Sequence, residues 1–211
     1  YPFTAVEAFL VSSENSFIKE NDILRARKFK IEKATKDKII LGVDPAPTND
    51  ETAMIFRKGK KVFGLKTFKK LSGMAIAGIL NKTLKENTGI WRVYVDYGYG
   101  IDIVERLREL GHKNVFAVQF GSAANDHEKY ANKRAEMYGL LRQDLHDGEY
   151  ELPDDNILHA DLSAQMQKMT SEQRIMLVSK DTLIKKLKRS PDRGDALALT
   201  YAGIGYDIGV F

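Results

Sequence analysis

Ile39-Ile40-Leu41-Gly42-Val43-Asp44-Pro45 is an apolar run that ends on an acid and a proline. Its composition and length read as a buried strand, and a turn-rich stretch follows it through Asp50. Thr52–Phe56 reads as a second strand, Lys58-Gly59-Lys60 as a turn, and Val62 to Phe68 alternates as a third strand. Three strands with short connections make an antiparallel meander. Ser72 is placed to cap a helix running to Glu86. Val93, Val95 and their neighbours form a fourth strand ending at Asp96; a helix covers 101–110 and stops at Gly111. Asn114–Gln119 is a fifth strand, 129–146 a long amphipathic helix, 155–168 another helix, and Arg174–Ser179 an edge strand. Asp181–Leu187 and Pro191–Ile204 close the pattern as helices. A meander followed by alternating helices and strands predicts an α/β fold, a mixed sheet of antiparallel and parallel strands flanked by helices.

The rest of the chain bounds this reading. With 211 residues, 43% of them apolar, it can bury a sizeable core, and disorder is excluded as its main state. No apolar run approaches the ~20 residues of a membrane span. There is no cysteine, so disulfides, thiolate zinc sites and cysteine nucleophiles are excluded. The net charge of +4 hides segregation: Arg57 to Lys70 holds seven basic residues and no acid, Gln143 to Asp161 seven acids and no Lys or Arg, and Lys180 to Arg193 six basic residues against two acids. Basic stretches beside a carboxylate-rich region suit a polyanion held near metal ions. Residues 1–37 are expected to be a linker or arm packing on something else, and residues 38–211 the main domain. The chain starts at Tyr1 rather than Met and is read as a fragment or a processed product.

Three acids stand out by placement. Asp44 closes the first strand, Asp96 closes the fourth, and Asp195 lies in the first turns of the last helix. Ends of neighbouring strands project into one crevice, the usual ligand position on such sheets. Ser190-Pro191 is a strong helix start, with Ser as N-cap and Pro as first helical residue. Asp192 and Asp195 are then three apart on one face, near a helix N-terminus that favours their ionised forms. Carboxylates crowded in one crevice need cations between them, and hard divalent ions with oxygen ligands, Mg²⁺ or Mn²⁺, fit. Two such ions ~4 Å apart suit phosphodiester hydrolysis, one activating water and the other stabilising the departing oxygen.

The order Leu41-Gly42-Val43-Asp44-Pro45-Ala46, Val93-Tyr94-Val95-Asp96-Tyr97-Gly98-Tyr99-Gly100 and Ser190-Pro191-Asp192-Arg193-Gly194-Asp195-Ala196-Leu197-Ala198-Leu199-Thr200 resembles the C-terminal nuclease domain of tailed-bacteriophage large terminase subunits, the DNA-packaging motor proteins. Asn132-Lys133-Arg134-Ala135-Glu136-Met137-Tyr138 is similar to a segment of the same family, and Tyr1-Pro2-Phe3-Thr4-Ala5-Val6-Glu7-Ala8-Phe9 resembles the end of its ATPase domain. The resemblance implies an RNase H-like fold and a metal-dependent endonuclease that cuts concatemeric viral DNA, leaving 5′-phosphate and 3′-hydroxyl ends. It implies Asp44, Asp96 and Asp195 as catalytic metal-binding acids, with Asp44 bridging both ions and Asp192 a fourth acid as in related Holliday-junction resolvases. It further implies double-stranded DNA, the ATPase domain of the full-length chain, a small terminase subunit and the portal protein as partners, in the host-cell cytoplasm. No G-x-x-x-x-G-K-S/T phosphate loop occurs, so the ATPase motor is expected elsewhere.

Lys133 and Arg134, at the start of the long helix, are candidates to touch the DNA backbone. Lys180, Lys185, Lys186, Lys188 and Arg189 lead into the carboxylate helix and are candidates to hold the duplex. Two other readings fit the same pattern. One is an actin-like phosphotransferase, which would need a second lobe; the other is a non-catalytic RNase H-like module docking on the portal or partner subunits.

Overall fold

The computed structural model describes residues 16–32, 35–46 and 50–204. Its centre is a five-stranded sheet of β1 (Ile39–Asp44), β2 (Glu51–Lys58), β3 (Lys61–Lys69), β4 (Ile90–Asp96) and β5 (Val115–Val118), in the order β3-β2-β1-β4-β5. β1 to β3 form the expected antiparallel meander, while β4 runs parallel to both β1 and β5. This is the RNase H-like arrangement that the resemblance implies. Seven helices flank the sheet among the described residues: α1 (Glu20–Lys28), α2 (Gly73–Glu86), α3 (Tyr97–Glu109), α4 (Lys133–Asp147), α5 (Asn156–Ser163), α6 (Lys180–Leu187) and α7 (Asp192–Leu199). None of them is long and apolar enough to cross a membrane.

Strand alternation decides what each face carries. Leu41, Val43, Met54, Phe56, Val93 and Val95 point to one side and pack with Ile76, Leu80, Ile103 and Leu107 of α2 and α3. Ala53, Ile55 and Tyr94 point to the other and pack with residues of α1, α4, α5 and α7. Gly42 and Asp44 on β1, and Tyr94 and Asp96 on β4, therefore share the α7 face. A Cβ on Gly42 would lie 1.9 Å from the carbonyl oxygen of Ala196, so the glycine is what lets α7 lie on β1.

Several elements differ from the sequence reading. The described part of the expected arm, from Ser16, packs on the main domain: Phe17, Ile18, Ile23 and Ala26 are buried in the core shared with α4 and α5. α3 begins directly after Asp96, because Gly100 leaves room where a Cβ would lie 2.5 Å from Val95. α5 stops at Ser163, where the Gln165 side chain takes over the Asp161 carbonyl at 3.2 Å. β7 (Ile175–Leu177) pairs with β6 (Gln167–Met169) in a separate hairpin instead of edging the main sheet. The segment Tyr1–Phe9 lies outside the described residues.

Candidate functional site

Position on the sheet brings the first two acids together. Val43 is in register with Val95, which sets Asp44 and Asp96 side by side at the ends of adjacent parallel strands. Asp44 is buried; Asp96 is half-buried and starts α3, with the Tyr97 and Gly98 amides against its carboxylate. α7 packs over β1, β2 and β4 and supplies Asp192 and Asp195, both buried. All four acids are thus brought to one end of the sheet, at the carboxyl ends of β1 and β4.

α7 is only eight residues long and is held from both ends. At its start, Arg193 donates to Glu51 at 2.8 Å and Asp155 at 2.6 Å, and the Gly194 amide donates to buried Asp161 at 3.1 Å. At its end, Arg57 donates to the Thr200 hydroxyl at 2.8 Å and the Thr200 carbonyl at 2.7 Å, complementing the negative end of the helix. Pro191 is the N-cap; Ser190 bonds the Asp192 carboxylate instead of capping the backbone.

The carboxylates close on a lysine. Lys180 Nζ lies 3.1 Å from Asp195 Oδ2 and 3.5 Å from Asp44 Oδ2. Both of those oxygens are buried, and the Lys180 ammonium is the cation they face. Burial pushes the Asp44 carboxyl well above the usual range; Lys180 opposes this, while Asp195, Asp192 and Asp96 add to it. Asp96 and Asp192 are raised for the same first reason, desolvation. Burial alone would depress Lys180, but Asp195 and Asp44 outweigh it and hold the ammonium charged. Among the described residues no three acids or imidazoles form a ready-made cation cage. The arrangement is instead a cluster of hard oxygen donors with an organic cation between two of them, and such a donor set fits Mg²⁺ or Mn²⁺.

The basic candidates divide. Lys186 and Lys188 are exposed, as is Lys185. Arg189 turns inward, pairing with Asp161 at 2.6 Å and donating to the Ser190 and Ile157 carbonyls. Lys133 and Arg134 are turned inward. Both are buried, because the first turn of α4 docks on the loop after β5 through the Phe120 and Ser122 carbonyls. Lys133 pairs with Glu136 at 2.7 Å, and Arg134 donates to Val178 O and Gln165 Oε1. Both side chains are thus engaged inside the domain, where the sequence reading expected them on DNA phosphates.

Tyr138, Gln165, Asp161 and Arg193 were not among the residues singled out from sequence. A tyrosine on the buried side of a helix is the one signal available, since its hydroxyl needs a partner there.

The nuclease domain of the large terminase subunit gp2 of bacterial virus Sf6 aligns with this structure at a TM-score of 0.74 and 21% identity, over 88% of this chain and 98% of that domain. The chain has the fold of a phage large-terminase nuclease domain. The large terminase nuclease of thermophilic phage G20c shares this terminase-nuclease fold at a TM-score of 0.62 and 16% identity, over 89% and 98% of the two chains. The HK97 bacteriophage large terminase aligns at 0.65 and 11% identity, with 89% of this chain covering 43% of that one. Variant Sf6 domains have been seen with manganese and with calcium, and the G20c nuclease with magnesium and with cobalt. No protein-family model matches the sequence, and no curated protein matches it.

Proposed function

We propose that this chain is a divalent-metal-dependent DNA endonuclease domain of a viral genome-packaging terminase. One observation carries the reading: the buried carboxylates of Asp44 and Asp195 converge on one cation, the Lys180 ammonium, at the carboxyl ends of the parallel strands of a terminase-nuclease sheet. Asp44 and Asp195 would hold the ions, with Asp96 and Asp192 completing the oxygen set. Bound Mg²⁺ or Mn²⁺, as a pair, would supply Lewis acidity and an activated water for phosphodiester hydrolysis.

The chain's own residues supply the rest. Burial of the acids keeps their negative charge unscreened, so a doubly charged ion gains more there than Lys180 does. Lys180 is half-exposed and sits on the first turn of α6, from which it can swing outward as the ion enters. Lys185, Lys186 and Lys188 stay exposed along the same helix and its end, where backbone phosphates of double-stranded DNA would meet them. The substrate would be concatemeric viral DNA in the host-cell cytoplasm, with the terminase ATPase domain, small subunit and portal protein as partners.

Plasmid cleavage tests this. The wild-type chain should nick and linearise supercoiled DNA in Mn²⁺ but not in EDTA, and Asp44→Ala should abolish cutting while keeping the wild-type circular dichroism spectrum. Undiminished cutting by a pure Asp44→Ala preparation would falsify the assignment.

A further inference from the structure

Asp195 has two oxygens with different surroundings. Oδ2 faces the Lys180 ammonium at 3.1 Å, on the side of Asp44. Oδ1 accepts from the Tyr138 hydroxyl at 2.8 Å, with Arg134 Nε at 3.8 Å. Behind Tyr138 lies a chain of buried polar groups. Gln165 Nε2 donates to the Tyr138 hydroxyl at 3.2 Å and to the Asp161 carbonyl at 3.2 Å. Arg134 Nη2 donates to Gln165 Oε1 at 3.1 Å, and Nη1 anchors on the Val178 carbonyl at 2.9 Å.

The direction of every bond in this chain is settled by chemistry. A guanidinium has donors only, so the Gln165 oxygen must face Arg134. The Gln165 amide nitrogen then faces Tyr138, whose oxygen accepts from it. The phenolic proton is left pointing at Asp195. No member can reverse without leaving a buried donor or acceptor unpaired, which is costly in such surroundings.

From this we infer that Tyr138, Gln165 and Arg134 are positioning residues that present Asp195 to a divalent ion through Oδ2. The inference rests on the metal-dependent reading above. Turning Oδ1 toward the ion would strand the Tyr138 hydroxyl, so one oxygen is held back and the other offered. Gly194 supports the same conclusion independently: a Cβ there would lie 3.0 Å from the Tyr138 hydroxyl and 2.9 Å from Asp161 Cβ. The glycine beside Asp195 is therefore what lets α7 reach the tyrosine.

The test is Mn²⁺ binding by isothermal titration calorimetry, with the metal-free melting temperature recorded for each protein. Groups that orient metal ligands typically change affinity about 10–100-fold when removed. Tyr138→Phe should weaken Mn²⁺ binding about 10-fold or more. Tyr201→Phe is the control, since it deletes an equally buried hydroxyl that bonds Asp144 at 2.7 Å, away from the carboxylates. It should bind Mn²⁺ as the wild type does, whatever it does to the melting temperature. Gln165→Met breaks the middle link without touching Asp195 and should weaken Mn²⁺ binding in the same direction, which keeps the test decisive if Tyr138→Phe fails to fold. Wild-type affinity in Tyr138→Phe or in Gln165→Met, or an equal loss in Tyr201→Phe, would overturn the positioning role. Asp195→Asn separates the two readings. If it abolishes Mn²⁺ binding while Tyr138→Phe keeps it, only the relay fails; if wild type and Asp195→Asn titrate identically, the metal reading fails and the relay with it.

Discussion

Replacing Gly42 with alanine would drive a methyl group into the helix that carries Asp195. The new Cβ would lie 1.9 Å from Ala196 O and 3.1 Å from both Ala196 C and Thr200 Cγ2. The closest obstacle is backbone, so no rotamer change relieves it. Reaching even 3.0 Å, a distance real Cβ atoms scarcely breach, requires β1 and α7 to part by about 1.1 Å. α7 cannot drift freely, because Arg193 and Arg57 pin its two ends. Overpacking of this kind costs about 1–3 kcal/mol. At roughly 2–4 °C per kcal/mol for a domain of this size, the melting temperature should fall by about 2–12 °C. The functional loss should be larger than the stability loss. Parting β1 from α7 separates Asp44 from Asp195, and a displacement of about 1 Å can cost about 100-fold in rate. Thermal unfolding followed by circular dichroism, and plasmid nicking rates in Mn²⁺, measure the two effects. Gly78→Ala is the matched control: it is an exposed helix position with nothing within 4 Å of the added Cβ, so stability should rise by about 0.4–1 kcal/mol with no change in nicking. A Gly42→Ala protein that melts and cuts like wild type would refute the claim that this contact sets the site.

Two further outcomes are expected. Lys180→Ala should bind Mn²⁺ about 2–30-fold more tightly, taking about 0.2–1 kcal/mol for each of the two contacts that its part-exposed ammonium makes, while melting lower in EDTA; weaker Mn²⁺ binding by calorimetry would show that the ammonium assists the ion instead of competing with it. The metal-free protein should become less stable between pH 5 and pH 8. Burial, against the pull of Arg189, pushes Asp161 up to about 7 from an ordinary 3.8, so the folded state holds a proton that the unfolded state has released, and stability falls as pH rises through that window. Asp44, Asp96 and Asp192 are shifted in the same direction, whereas Glu151 and Asp154 are held low and their contributions are complete by pH 5. Asp161→Asn should flatten the decline in thermal melts, and an unchanged slope would exclude Asp161 as a source.

Much of this architecture is written in short-range pattern. The run Ile39–Val43 and the alternation of β3 specify strands because burial and pleat act over a few residues. Asp44 and Asp96 were legible for the same reason, each ending an apolar strand. What sequence could not show was where long-range packing sends a charged side chain. Lys133 and Arg134 look like a solvated helix start, yet the loop after β5 covers them. Lys180 opens a lysine-rich helix and reads as a phosphate contact, yet the carboxylates it meets come from β1 and α7. Tyr138 reads as one more apolar position of α4; only the fold reveals that its hydroxyl ends at Asp195. Ser16–Lys28 reads as an arm because its core contribution is sparse, and Phe17, Ile18, Ile23 and Ala26 become a face only once α4 and α5 are there to receive them.

The four acids leave the ribosome far apart in time. Asp192 and Asp195 come about 150 residues after Asp44, roughly 8–30 s later at ordinary elongation rates. Through that interval a nascent or prematurely terminated chain carries half a cluster, with neither α7 nor the lysine that closes it. A centre of the proposed kind, divided in this way, would operate only after α7 has been made and seated. On the proposed function, unfinished copies would be disarmed by the order of these residues along the chain.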